Sequence, residues 1–285
     1  MDDPPPPPPV APNLAGKDMG TPDRCIYCGS REPPLTKEHV VPEGLGGNFI
    51  LYKATCERHR KMTAAFEGKC LQGLFSLPRY KLGTQSKRPK NRPKVVPIRF
   101  DMGDGVQRGE VPVMEHPLNM MFPLFEEPAF ITGRPLTNRL RIGFMASVDT
   151  SMTWVNRLGY SARTQPYKFM TDYDIPAFIR MLAKMAHGLA VCRYGLDGFE
   201  PFLIPVIEWE ADWRPLIGSN DVRLPPTTTN HLMYPYHAWH RGQWLVLCDM
   251  RIFSSLGGPR YRAVVGRLRT GEAQDVPGGA DDGGS

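Results

Sequence analysis

Four side chains that bind metals well fall in two matched pairs near the start of the chain, Cys25-x2-Cys28 and Cys56-x2-His59. Two intervening residues let one tight turn aim both members of a pair at a single ion, and three thiolates with an imidazole make a tetrahedral set suited to zinc. Treating them as ordinary reduced thiols and a surface histidine would leave the second matched pair unexplained. Between the pairs stand Thr36-Lys37-Glu38-His39-Val40-Val41-Pro42 and then Leu45-Gly46-Gly47-Asn48. Histidine titrates near neutrality and carboxylates bind hard cations, so a Glu-His dipeptide can join proton transfer to cation binding. The expectation is a structural Zn2+ held by Cys25, Cys28, Cys56 and His59, with the chemistry at Glu38 and His39.

Short elements must position these groups. Leu35 to Val41 reads as a strand ended by Pro42, the glycines of the next loop permit a sharp return, and Phe49 to Tyr52 reads as the returning strand. From Glu57 the pattern turns helical, with Met62, Phe66, Cys70 and Leu74 recurring about once per turn. Neighbours on a strand point to opposite faces, so Glu38 and His39 can share a site only at a strand end or an irregularity. A unit of about fifty residues buries too little apolar surface to stand alone, and a structural metal is a physical substitute for core.

The block Cys25-x2-Cys28, Glu38-His39-Val-Val-Pro42-x2-Leu45-Gly46-Gly47, Cys56-x2-His59 and Phe66-Glu67 resembles an HNH endonuclease, of the ββα-metal or His-Me finger superfamily, in the subgroup with a zinc clip around the motif. The resemblance covers roughly residues 24–75, about a fifth of the chain. It implies that His39 is the general base taking a proton from the attacking water and that Glu38 binds a catalytic Mg2+ or Mn2+. By the same resemblance Asn48 lies where a middle asparagine orients the base, and the four zinc ligands match, with His59 in place of a usual fourth cysteine. The departure is Arg60, which stands where the family often places a second catalytic metal ligand. Arginine stays protonated and cannot ligate a cation. Three substitutes remain open: His59, Glu67 further along the helix, or Glu38 alone holding a hydrated ion completed by substrate phosphate. Arg60 would then suit the scissile phosphate.

The formal net charge is +6, and Arg79, Lys81, Lys87, Arg88, Lys90, Arg92, Lys94 and Arg99 follow the motif without an acid among them. Such a stripe, with Arg60, can track a phosphate backbone, or can be a solvated linker held extended by prolines. The expected partner is nucleic acid, in the form of DNA, and pairing into a homodimer would suit cutting of both strands. The expected organisation is a Pro-rich disordered tail (1–20), the zinc-clipped nuclease-like unit (21–78), a basic linker (79–99), an α+β domain for target recognition or partner binding (100–269) and a disordered tail (270–285). In the fourth segment strands are expected at 94–100, 140–148, 202–208, 243–253 and 261–268, with one amphipathic helix capped by Asp172 or Asp174, begun at Pro176 and ended before Gly195. The fold class is therefore α+β: a ββα-metal unit followed by a mixed, mostly antiparallel β domain. His187 reads as a packing or surface residue. His231, His237 and His240, with Tyr234, Tyr236, Trp239 and Arg241, read either as a sheet edge or as a base-stacking surface. No signal peptide, disulfide framework or apolar run near eighteen residues is visible, which predicts a cytoplasmic protein without a membrane span. The competing expectation is a catalytically silent, zinc-containing module that binds nucleic acid.

Overall fold

A computed structural model describes residues 19–84, 92–101, 105–117, 120–145, 153–159, 168–169, 174–220 and 224–269. The chain forms a mixed α+β fold with antiparallel sheets. Strands β1 (Thr36–His39) and β2 (Ile50–Thr55) make a hairpin, followed by α1 (Glu57–Gln72) and the short α2 (Ser76–Lys81). The hairpin loop closes on itself at Gly46 and Gly47. Gly46 is left-handed, at φ 84°, and a Cβ on Gly47 would lie 2.1 Å from the Val41 carbonyl oxygen, so neither position accepts a side chain. In α1 the buried residues are His59, Thr63, Phe66 and Cys70, a stripe of one helical face.

Next come β3 (Val95–Asp101) and β4 (Val106–Pro112), which with β7 (Lys168–Phe169) form a three-stranded sheet, and β5 (Met120–Leu124) with β6 (Arg141–Met145) as a second hairpin. The one-turn helices α3 (Ala129–Thr132) and α4 (Thr153–Arg157) lie among them. The long helix α5 (Ile175–Tyr194) leads into β8 (Phe199–Pro201), α6 (Ile204–Glu208), β9 (Ile217–Asn220) and the strands β10 (His231–His240), β11 (Gln243–Ile252) and β12 (Arg260–Leu268). The large sheet runs β10-β11-β12-β8, with β9 also on β12. Arg241 and Gly242, both at positive φ, make the two-residue turn joining β10 to β11.

Helix α5 organises the core. Asp174 caps it through the Ala177 N–H at 2.9 Å, and Gly195 follows its end, as its sequence predicts. It is not amphipathic, however: fourteen residues around its circumference are buried. The reason is that it packs against α1 and α6 and against β10, β11 and β12. Its 20 residues and mean hydropathy of 1.3 would suffice for a membrane span, but 78% of that window is buried within the fold. One hydrophobic core runs from Cys25 through Phe75 to Phe178, Tyr261 and Leu268, so residues placed by sequence in separate units share their packing. Helix α2 crosses the boundary expected at 78–79, and β3, β4 and Trp154 carry a smaller cluster of their own.

The strand expected at 202–208 is a correction. Only Phe199–Pro201 is extended, and α6 begins immediately after it. Pro205 sits in the first turn of α6, where its missing N–H costs nothing, whereas inside a sheet it would break the ladder.

Candidate metal centre and adjoining cleft

The first pair of ligands sits on a knuckle closed by Gly29 N–H to Cys25 O at 2.8 Å and tied to β2 by Ile26 N–H to Ala54 O at 2.8 Å. The second pair opens α1. Cys56 occupies the N-cap position without capping the helix through its side chain, and its sulfur lies 3.2 Å from His59 Nδ1. The Cys25 sulfur is 3.6 Å from the same nitrogen, the Cys28 and Cys56 sulfurs are 3.9 Å apart, and all four ligand atoms fall within 4.8 Å of one another. A tetrahedral ion with bonds of about 2.3 Å to sulfur and 2.0 Å to nitrogen separates its ligand atoms by about 3.5–3.8 Å. Cys25, Cys28, Cys56 and His59 can therefore hold a metal ion.

A carboxylate that sequence reading missed completes this centre. His59 is fully buried, and its Nε2 lies 3.0 Å from Glu208 Oε1 at the end of α6. A proton on Nε2, given to Glu208, leaves the Nδ1 lone pair facing the sulfurs, the arrangement that orients an imidazole ligand. Arg58 holds the same carboxylate oxygen at 2.7 Å. Nothing in local spacing could have found Glu208, which lies 149 residues from His59. Glu208→Ala should weaken metal affinity by about 10–100-fold; competition with a chromogenic chelator measures this, and unchanged affinity would show that the contact is incidental. Burial opposes ionisation at Cys56, but hydrogen bonds from His59, Cys25 and Cys28 outweigh it and bring the thiol down to about 7, whereas burial pushes Cys25 up to about 12.

Beside the centre opens a cleft of about 750 Å³ whose walls include Glu38, His39, Glu43, Arg60, Glu67 and Arg79. Glu38 and His39, the last two residues of β1, both line it, and the β1–β2 register shifts just before them. Glu38 turns inward, where its Oε2 accepts from Thr55 Oγ1 at 2.6 Å. His39 Nε2 lies 3.7 Å from Glu43 Oε2, four residues on. Asn48 is exposed and does not line the cleft, because it falls after the turn of the loop. His59 belongs wholly to the sulfur cluster. Arg60 sits at the rim, its guanidinium forked onto Glu57 at 2.7 and 2.8 Å.

The cation between the two expected metal carboxylates is Lys184 of α5. Its Nζ lies 2.6 Å from Glu38 Oε1 and 2.7 Å from Glu67 Oε1, with its side chain 1% exposed, and it also donates to the His39 carbonyl. Burial works against its charge, but Glu38 and Glu67 hold it above the ordinary lysine range. The expectation of Mg2+ or Mn2+ on Glu38 and Glu67 therefore meets donors already taken: one oxygen of each is paired with the ammonium, and the second oxygen of Glu38 with a hydroxyl.

The basic stripe is not one feature. Arg79 lies in α2 and donates to Gly44 O at 2.5 Å and Leu71 O at 2.9 Å, bracing the cleft loop. Arg92 binds the Thr84 carbonyl, and Lys94 and Arg99 border or belong to β3. Lys87, Arg88 and Lys90 lie outside the described residues.

Two histidines of the later segment are structural. His231 Nε2 donates to Leu45 O at 2.8 Å, holding the cleft loop to β10. His187 Nε2 donates to Ile26 O at 2.8 Å, holding α5 to the Cys25–Cys28 knuckle. Burial brings His187 down to about 4 from 6.5. A folded-state value below the unfolded one means that the unfolded chain takes the proton first as pH falls. The stabilisation is intact above 6.5 and lost progressively between 6.5 and about 4. That interval corresponds to about 3 kcal/mol. His187→Gln keeps an N–H for Ile26 without titrating, and its loss of stability from pH 7 to pH 4.5 should be smaller by a large part of this amount in urea unfolding. Identical acid losses would contradict the assignment.

A scan against protein-family models found no match for this chain, and searches of curated proteins and of solved structures also found none.

Proposed function

We propose that the protein is an HNH-type endonuclease that hydrolyses nucleic-acid phosphodiester bonds, with a structural zinc in its Cys3His centre. One observation carries the reading: the hairpin and α1 meet at the cysteine–histidine cluster and set His39, Glu67 and Arg60 around a single cleft, with Arg79 from α2. The donor set of three thiolates and one imidazole, with its Glu208 partner, suits zinc over harder ions such as Mg2+ or Ca2+. A phosphodiester resists attack because its anionic oxygens repel nucleophiles. Arg60 and Arg79 line the cleft beside its carboxylates, and the net charge of +6 favours association with DNA. His39, at the mouth of the hairpin, is the group that takes a proton from the attacking water. Glu43 Oε2 lies 3.7 Å from its Nε2, within ion-pair reach of the ring once it has taken the proton.

A second reading, a catalytically silent zinc module that binds nucleic acid, is favoured by the Lys184 contacts and by the engagement of Arg60 with Glu57. Incubation of supercoiled plasmid with the purified chain, with and without added Mg2+ or Mn2+, separates the two. Relaxed circles support the endonuclease. Intact supercoils under conditions where a mobility shift shows binding support the silent module.

A further inference from the structure

The resemblance to a metal-dependent nuclease and the geometry of the cleft disagree most sharply between Glu38 and Glu67. We propose that Lys184 is the resident cation of this cleft: its ammonium takes the place between the two carboxylates that a divalent ion would otherwise fill, and through the His39 carbonyl it positions the end of β1. Three features support this. The amine is oxygen-bound on three sides, by Glu38 Oε1 at 2.6 Å, Glu67 Oε1 at 2.7 Å and the carbonyl of His39. It arrives from α5, the most deeply buried helix of the fold, so it is built into the core and is not a mobile surface chain. Both oxygens of Glu38 already have partners, because Thr55 Oγ1 donates to the second one at 2.6 Å.

The physical consequence follows from charge. Two carboxylates facing each other without a cation would repel one another and the phosphate backbone, and burying them unpaired is strongly unfavourable. A lysine cancels one of the two charges permanently, whereas a divalent ion does so only when bound. The ammonium is buried against Glu38, Glu67 and the His39 carbonyl, so Lys184 acts through them as a positioning residue and does not itself touch substrate. The oxygen set it leaves when truncated, two carboxylates and one carbonyl, is of the kind that binds Mn2+ or Mg2+. Lys184→Ala should thus convert an ammonium site into a divalent-ion site.

The proposal is independent of the endonuclease reading, because metal binding can be read without nucleic acid. The test uses the full chain with its Cys3His ion in place, titrated with Mn2+ and followed by electron paramagnetic resonance. For the native protein no Mn2+ site sensitive to Glu67→Gln is expected. For Lys184→Ala one further equivalent should bind, at least tenfold more tightly than to the native chain, and Lys184→Ala with Glu67→Gln should lose it again. A stoichiometric Mn2+ site in the native chain that Glu67→Gln abolishes would overturn the proposal, since the carboxylates would then serve an ion with the lysine present. A folded Lys184→Ala protein that gains no site would overturn it as well. Should Lys184→Ala fail to fold, the native and Glu67→Gln titrations decide alone.

Discussion

Cys56→Ser should strip the ion from the Cys3His centre and lower the melting temperature by about 10–20 °C, the effect of losing about 5 kcal/mol in a domain of this size. The hairpin it anchors has strands of four and six residues, and a two-stranded ribbon of that length is marginal in water. In small zinc modules the ion supplies about 10–16 kcal/mol of apparent binding energy, all of it folding energy. Here the loss is smaller, because Tyr27, Val40, Leu51 and Phe66 of the same unit also pack into the core around α5. Elemental analysis and a thermal melt on the same sample measure both quantities. A metal-free serine variant that melts with the native protein would show that the cluster is not a structural centre. Weaker metal retention at acid pH is expected as well, since the thiols must be deprotonated to ligate.

The second large effect is at His39. Replacement by alanine should lower phosphodiester cleavage by about 10²–10⁴-fold, the usual contribution of a positioned general base. Fold and metal content should survive the change, for a structural reason: Lys184 binds the backbone carbonyl of His39, not its ring, and the ring is not among the four ligands of the metal cluster. Added imidazole should restore part of the rate to the alanine variant, which a purely structural histidine would not allow.

Where function-bearing residues are close in sequence, their arrangement was legible. The two ligand pairs announced themselves by spacing because a tight turn is a local device, and the knuckle and the N-terminal turn of α1 bring them together. The ends of α5 could be read from Asp174 and Gly195, since caps act within a few residues. Contacts made across the chain left no such trace. Glu208 and Lys184 reach the site from 149 and 145 residues beyond their partners, and neither belongs to a motif. The burial of α5 on several sides depends on what packs around it, which periodicity within the helix does not record. Phe202–Glu208 looked extended because Phe202, Leu203, Ile204, Val206 and Ile207 are the residues strands prefer, and a single Pro205 placed the segment in a helix instead. Asn48 followed from analogy with a motif position, and the loop geometry put it on the outside.

The most direct test of the proposed chemistry is cleavage of supercoiled plasmid by the native chain and by His39→Ala, with both preparations matched in zinc content and melting temperature. Relaxed circles from the native chain and intact supercoils from the variant are expected. Equal relaxation by the two would contradict a catalytic His39, and no relaxation by either, in the presence of Mg2+ or Mn2+, would contradict an endonuclease.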